Sequence, residues 1–207
     1  VPPMSMDQVE TSRVMSEARA LSLSDVVRAM RVHQWTKNVL LFIPLAMAHK
    51  IDELERLAAA GIAFVAFSLC CSAVYLLNDA MDLQSDRAHP TKCRRPMASG
   101  RMSVRFGVML AAVLLAAAGG LCALLPLRFA VLLVGYVGLV ALYTVWLKRH
   151  AIIDVIMLAG FYAYRVMIGA VAIVVPISPW LLAFSIFLFM SLALLKRYAD
   201  LLCMRGE

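Results

Sequence analysis

The chain has 207 residues, 63% of them hydrophobic and only 16% charged, with a formal net charge of +7. Soluble domains are about 45–50% apolar and about 25% charged, so this balance excludes a disordered chain and argues against a soluble domain. The apolar residues are also concentrated: Leu57–Leu77, Phe106–Leu127, Phe129–Leu147 and Ile177–Leu195 carry no charged residue. Each is close to the ~20 residues a helix needs to cross ~30 Å of hydrocarbon. The sequence therefore predicts an all-α, polytopic membrane bundle.

In chain order, residues 1–25 read as a polar segment or linker, and residues 26–207 as the membrane domain. The start is mixed in charge and lacks the short apolar core of a secretory signal. Six spans are expected: Val32–Ala48, Leu57–Leu77, Phe106–Leu125, Leu127–Leu147, Ile152–Val175 and Ile177–Lys196. Pro126 and the Pro176–Pro179 stretch separate the last two pairs, because proline cannot continue a helical hydrogen-bond ladder. Lys and Arg gather before the first span, between the second and third, and after the fourth and sixth. All four segments share one side if the spans alternate, and basic loops mark the cytoplasmic side of an inner or plasma membrane. Topology thus explains the positive charge, and no nucleic-acid partner is called for. The five cysteines have neither metal-ligand spacing nor a disulfide pattern and read as packing thiols.

Two of these spans carry groups that lipid disfavours. The first opens His33-Gln34-Trp35-Thr36-Lys37-Asn38, and the fifth holds Arg165 near its middle. Ionisable groups at membrane depth are functional candidates by default. Lys37 is near enough to a helix end to snorkel; Arg165 lies too deep.

The densest signal follows the second span: Asn78-Asp79-Ala80-Met81-Asp82-Leu83-Gln84-Ser85-Asp86. If the helix continues, about 100° per residue brings Asp79, Asp82 and Asp86 within about 100° of Asn78. Three carboxylates on one face repel one another unless a cation neutralises them. Mg²⁺ suits them, since it takes oxygen ligands and bridges carboxylates to phosphates. The basic run Arg87, His89, Lys92, Arg94 and Arg95 that follows suits a diphosphate, whose charge calls for Arg and Lys as well as metal.

This stretch, continuing through His89-Pro90-Thr91-Lys92-Cys93-Arg94-Arg95-Pro96-Met97, closely resembles the first Asp-rich motif of the UbiA superfamily of intramembrane prenyltransferases. Arg31-Val32-His33-Gln34-Trp35-Thr36-Lys37-Asn38 looks like the opening segment of the decaprenyl-phosphate 5-phosphoribosyltransferase branch. Tyr143–Lys148, Tyr164–Ala170 and Lys196-Arg197-Tyr198-Ala199-Asp200-Leu201 resemble later segments of that branch. The resemblance covers about residues 26–205 and implies a nine-helix fold, of which six helices are expected here and the C-terminal third is lacking. It implies Mg²⁺ on Asp79, Asp82 and Asp86, beside Asn78. It further implies substrate contacts from Arg31, Gln34, Lys37, Lys92, Arg95, Lys148, Arg165, Lys196, Tyr198 and Asp200.

The activity so implied is transfer of a 5-phosphoribosyl group from phosphoribosyl diphosphate to a polyprenyl (decaprenyl) phosphate, as for a cell-wall arabinose donor. Its partners would be an isoprenoid lipid phosphate or diphosphate, a phosphorylated sugar donor and membrane lipid, with oligomerisation left open. The alternative is transfer of a prenyl group from its diphosphate to an aromatic acceptor, for which a second Asp-rich motif beyond Glu207 would be the mark. A transporter would spread counter-charges through several spans, whereas here the acids gather at one edge. An inactive scaffold is the remaining reading.

Overall fold

The structure, a computed structural model, describes residues 21–146 and 151–205. Most of the expected polar segment 1–25, and Lys148, fall outside the described residues. Those described form an all-helical bundle: α1 (Leu23–Ala29), a 3-10 segment (Val32–Phe42), α2 (Ile43–Met47), α3 (Leu54–Met81), α4 (Leu83–Ala88), a 3-10 turn (Lys92–Arg94), α5 (Val104–Cys122), α6 (Leu127–Val145), α7 (Ala151–Ala172) and α8 (Pro179–Arg205).

Five of these helices are long and apolar enough to cross a membrane: α3, α5, α6, α7 and α8. The first expected span departs from the six-helix reading. Val32–Ala48 is not one α-helix but eleven 3-10 residues followed by the five of α2, with Pro44 in the first turn of α2. The polar side chains of its first half explain this, because several are engaged by other helices. A 3-10 run rises about 2.0 Å per residue and an α-helix about 1.5 Å, so the two pieces still have a contour near 30 Å.

Packing follows from where small residues sit. Gly107, Ala111, Leu114 and Ala118 of α5 are buried, and this face lies along α3. α8 lies along α7, and the 3-10 segment is wedged between α3 and α7. The central core joins Leu41, Phe67, Phe129, Leu133, Phe161 and Ile168. A second cluster, with Ala73, Leu76, Met97, Met102 and Leu114, lies beneath the loop that follows α4.

At Gly169 of α7 a Cβ would stand 2.3 Å from the Leu41 carbonyl oxygen and 2.9 Å from its Cα. Backbone cannot yield as a side-chain tip can. We therefore expect Gly169→Ala to destabilise the protein by about 1–3 kcal/mol, the usual range for overpacking, read as a lower midpoint of thermal unfolding in detergent. An unchanged midpoint would mean the 3-10 segment is loosely held.

Candidate active site

The loop after α4 is fixed by its own chemistry. Met97 is buried with its methyl in the notch left by Gly107, where a Cβ would come within 2.1 Å of Cε. Gly100 turns with φ +78, in the region that favours glycine. The Met102 amide donates to the Pro96 carbonyl at 2.9 Å. Arg101 donates to the Arg94 carbonyl at 2.8 Å and pairs with Asp25 of α1 at 2.8 Å. Arg95, two residues before the Met97 anchor, is thereby returned to the end of α3.

There Arg95 meets two carboxylates. Its Nη1 lies 3.1 Å from Asp79 Oδ1 and 2.5 Å from Asp86 Oδ2. Arg31 reaches the same Asp79 oxygen, with Nη2 at 2.6 Å, while its guanidinium lies over the Tyr75 ring at 4.6 Å. Both acids are almost wholly buried, at 4% and 2% exposure. The uniform helix expected through the motif is interrupted at Asp82, which ends α3 and precedes α4 with φ −87 and ψ 10. At this break Asp82 is exposed, while Asp86 is buried against Arg95. Among the described residues, no three His, Cys, Asp or Glu side chains stand together as a metal-binding group. Two buried carboxylates already drawn onto one cationic nitrogen nevertheless suit Mg²⁺. This ion typically takes one or two carboxylates and completes its shell with water and substrate phosphate.

The other sequence candidates are distributed as follows. Asn78 and Gln34 are half-buried; Lys37 and Lys92 are exposed, as is Tyr198 on α8. Nothing is described of the Lys196 and Asp200 side chains. Arg165 is buried in the bundle, away from any described carboxylate partner. Its Nε donates to Asn38 Oδ1 at 3.0 Å, Nη1 to the Phe161 carbonyl at 2.8 Å, and Nη2 to the Tyr136 hydroxyl at 2.9 Å. Phe67, Tyr136 and Tyr162 turn their rings to the guanidinium at 5.4–5.6 Å.

One set of polar residues escapes the motif reading. Ser68, Ser72, Tyr75 and Asp79 fall within about 60° of one another on α3. They form a stripe that meets the 3-10 segment in antiparallel order. Asn38 donates to Ser68 at 2.9 Å, Trp35 to Ser72 at 3.0 Å, and Arg31 reaches Tyr75 and Asp79. The spacing of hydroxyls in an otherwise apolar helix was the available signal, since such groups bond between membrane helices. Asp154 is a second residue of this kind. It accepts from the Tyr143 hydroxyl and lies 3.8 Å from Arg197, which ties α6, α7 and α8 together.

A family model for the UbiA prenyltransferase family matches residues 39–204. The chain belongs to this family. The decaprenyl-phosphate phosphoribosyltransferase of Mycobacterium tuberculosis is 37% identical over 193 residues, covering 91% of this chain and 64% of that protein. Nodulation protein NoeC of Azorhizobium caulinodans is 37% identical over 180 residues, covering 86% of this chain and 58% of its own length. The chain therefore spans less than two thirds of each relative. In fold it is similar to a UbiA homologue from Archaeoglobus fulgidus solved with DMAPP and Mg²⁺. The TM-score is 0.64 at 19% identity, over 81% of this chain and 61% of that one. Five apolar helices and UbiA membership make this an integral membrane protein.

Proposed function

We propose that this UbiA chain carries the diphosphate-binding part of a Mg²⁺-dependent intramembrane transferase. The reaction would move a 5-phosphoribosyl group from phosphoribosyl diphosphate to a polyprenyl phosphate. The observation that carries the reading is the convergence of Asp79 and Asp86 on Arg95, with Arg31 arriving on the same carboxylate. The likeness to the mycobacterial phosphoribosyltransferase favours this donor and acceptor. The gathering of Lys and Arg in the segments on this side supports a cytoplasmic position for this edge.

Asp79 and Asp86 would hold the ion, with Asn78 and Asp82 at the helix break beside them. Bound Mg²⁺ supplies neutralisation of the leaving diphosphate, which lowers the barrier to cleaving its bond to the anomeric carbon. The guanidiniums of Arg31 and Arg95 then turn from the carboxylates to the phosphate oxygens, with Lys92 and Lys37 at the rim. An oxygen of the lipid phosphate forms the new bond to the anomeric carbon as the bond to diphosphate breaks. That oxygen is already anionic at neutral pH, so the chain needs no general base. The lipid tail contributes about 0.8 kcal/mol for each CH₂ it buries.

Purified protein given phosphoribosyl diphosphate, decaprenyl phosphate and Mg²⁺ should form decaprenyl-phosphoryl phosphoribose and free diphosphate. Chelation of the metal should stop the reaction. Turnover only with a prenyl diphosphate and an aromatic acceptor would overturn the choice of substrates.

A further inference from the structure

We propose that Ser72 is a positioning residue for the acidic site: its hydroxyl fastens the Met30 carbonyl and the Trp35 indole, and so holds the turn that delivers Arg31 to Asp79. This rests on the reading of Asp79 as part of a diphosphate site.

Arg31 has φ 53 and ψ 45, a left-handed conformation. For a residue with a side chain this costs about 1–2 kcal/mol and persists only where the surroundings determine it. Here the peptide planes on both sides of its Cα are fixed. On the preceding side, Ser72 Oγ donates to the Met30 carbonyl at 2.8 Å, and the Arg31 amide donates to the Arg28 carbonyl at 3.2 Å. On the following side, the Gln34 amide donates to the Arg31 carbonyl at 2.7 Å. Hydrogen bonds thus hold both of the planes that define φ and ψ of Arg31.

Ser72 is 0% exposed. A hydroxyl has one hydrogen to give and lone pairs to receive with. Ser72 spends the first on Met30 and receives the Trp35 Nε1 hydrogen at 3.0 Å. Alanine would remove a partner from the Met30 carbonyl and from the Trp35 indole N–H together, both on half-buried residues. The same face of α3 carries Tyr75 and Asp79, one and two turns further on, where the Arg31 guanidinium lands. One helix face thus holds the turn and receives what the turn presents. A right-handed Arg31 would aim its side chain elsewhere.

The test compares the unaltered protein in nanodiscs with Ser72→Ala, Arg31→Ala and the double variant. Thermal unfolding tests the relay without substrate: the two single losses should overlap in the double variant, and strictly additive losses would overturn the proposal. Calorimetric binding of inorganic diphosphate with Mg²⁺ reads what the relay does for the site. Ser72→Ala should weaken binding about tenfold, as for loss of one charge-assisted hydrogen bond. In the Arg31→Ala background it should change binding by no more than about twofold. Ser68→Ala removes a buried hydroxyl one turn away and should lower the unfolding midpoint while leaving diphosphate affinity intact. Equal affinity in Ser72→Ala and the unaltered protein, or an equal loss in Ser68→Ala, would overturn the proposal. If the unaltered protein binds no diphosphate, the site reading fails, and the unfolding comparison still decides the relay.

Discussion

Asp79→Asn should reduce the transfer rate by about 10²–10³-fold, the usual effect of removing one group that stabilises developing charge. It should also destabilise the fold, because Asp79 Oδ1 is the shared partner of Arg31 and Arg95. Breaking a buried ion pair from one side costs about 3–5 kcal/mol. Both arginines are about a quarter exposed, at 23% and 28%, so solvent screening brings the expectation to the bottom of that range or below. Asp82→Asn provides the contrast. Asp82 is exposed at the helix break and takes part in no described ion pair, so its loss should slow transfer without moving the unfolding midpoint. Initial rates at saturating Mg²⁺ and unfolding in detergent read the two effects separately. An unaffected rate in Asp79→Asn would remove it from the metal site.

The sequence made the membrane bundle legible because uninterrupted apolar runs leave a helix few alternatives, and α3, α5, α6, α7 and α8 lie where those runs predict. The first span was harder. A hydropathy run cannot distinguish an α-helix from a 3-10 segment whose polar side chains bond sideways into a neighbour, as Trp35 and Asn38 do. The acidic motif was visible as composition, but which carboxylates act together was not. Angles taken from an uninterrupted helix put Asp82 among the other two carboxylates, whereas the structure leaves Asp82 exposed at the break and joins Asp79 and Asp86 through Arg95. The role of Arg95 was legible only as charge, since what returns it to α3 is the Met97 anchor against Gly107. Ser72 gave no sign in isolation. Its function depends on a carbonyl 42 positions earlier, and such pairings follow from the packing of the 3-10 segment rather than from any local pattern.

Arg165 tests how a cation is accommodated at membrane depth without an acid. Its three nitrogens are engaged by an amide oxygen, a backbone carbonyl and a phenol. Three aromatic rings face its charge. These partners belong to the 3-10 segment, α3, α6 and α7, so the guanidinium braces four elements at one point. Arg165→Lys keeps the charge and loses the planar fork, and one nitrogen cannot replace three. The orphaned groups each cost about 1–3 kcal/mol by the measure used for soluble proteins. Membrane hydrogen bonds average nearer 0.6 kcal/mol, so the total expected lies at about 2–4 kcal/mol. For a chain of this size that lowers the unfolding midpoint by roughly 5–12 °C. Arg165→Met should do much the same, which would place the stabilisation in the hydrogen bonds rather than in the charge. In the protein that remains folded, the KM for the proposed donor, phosphoribosyl diphosphate, should stay within about twofold of its original value, the spread expected of uncoupled sites. The opposite pattern, an unchanged midpoint with a raised KM restored by Lys, would mean that Arg165 leaves its aromatic cage to meet a substrate anion.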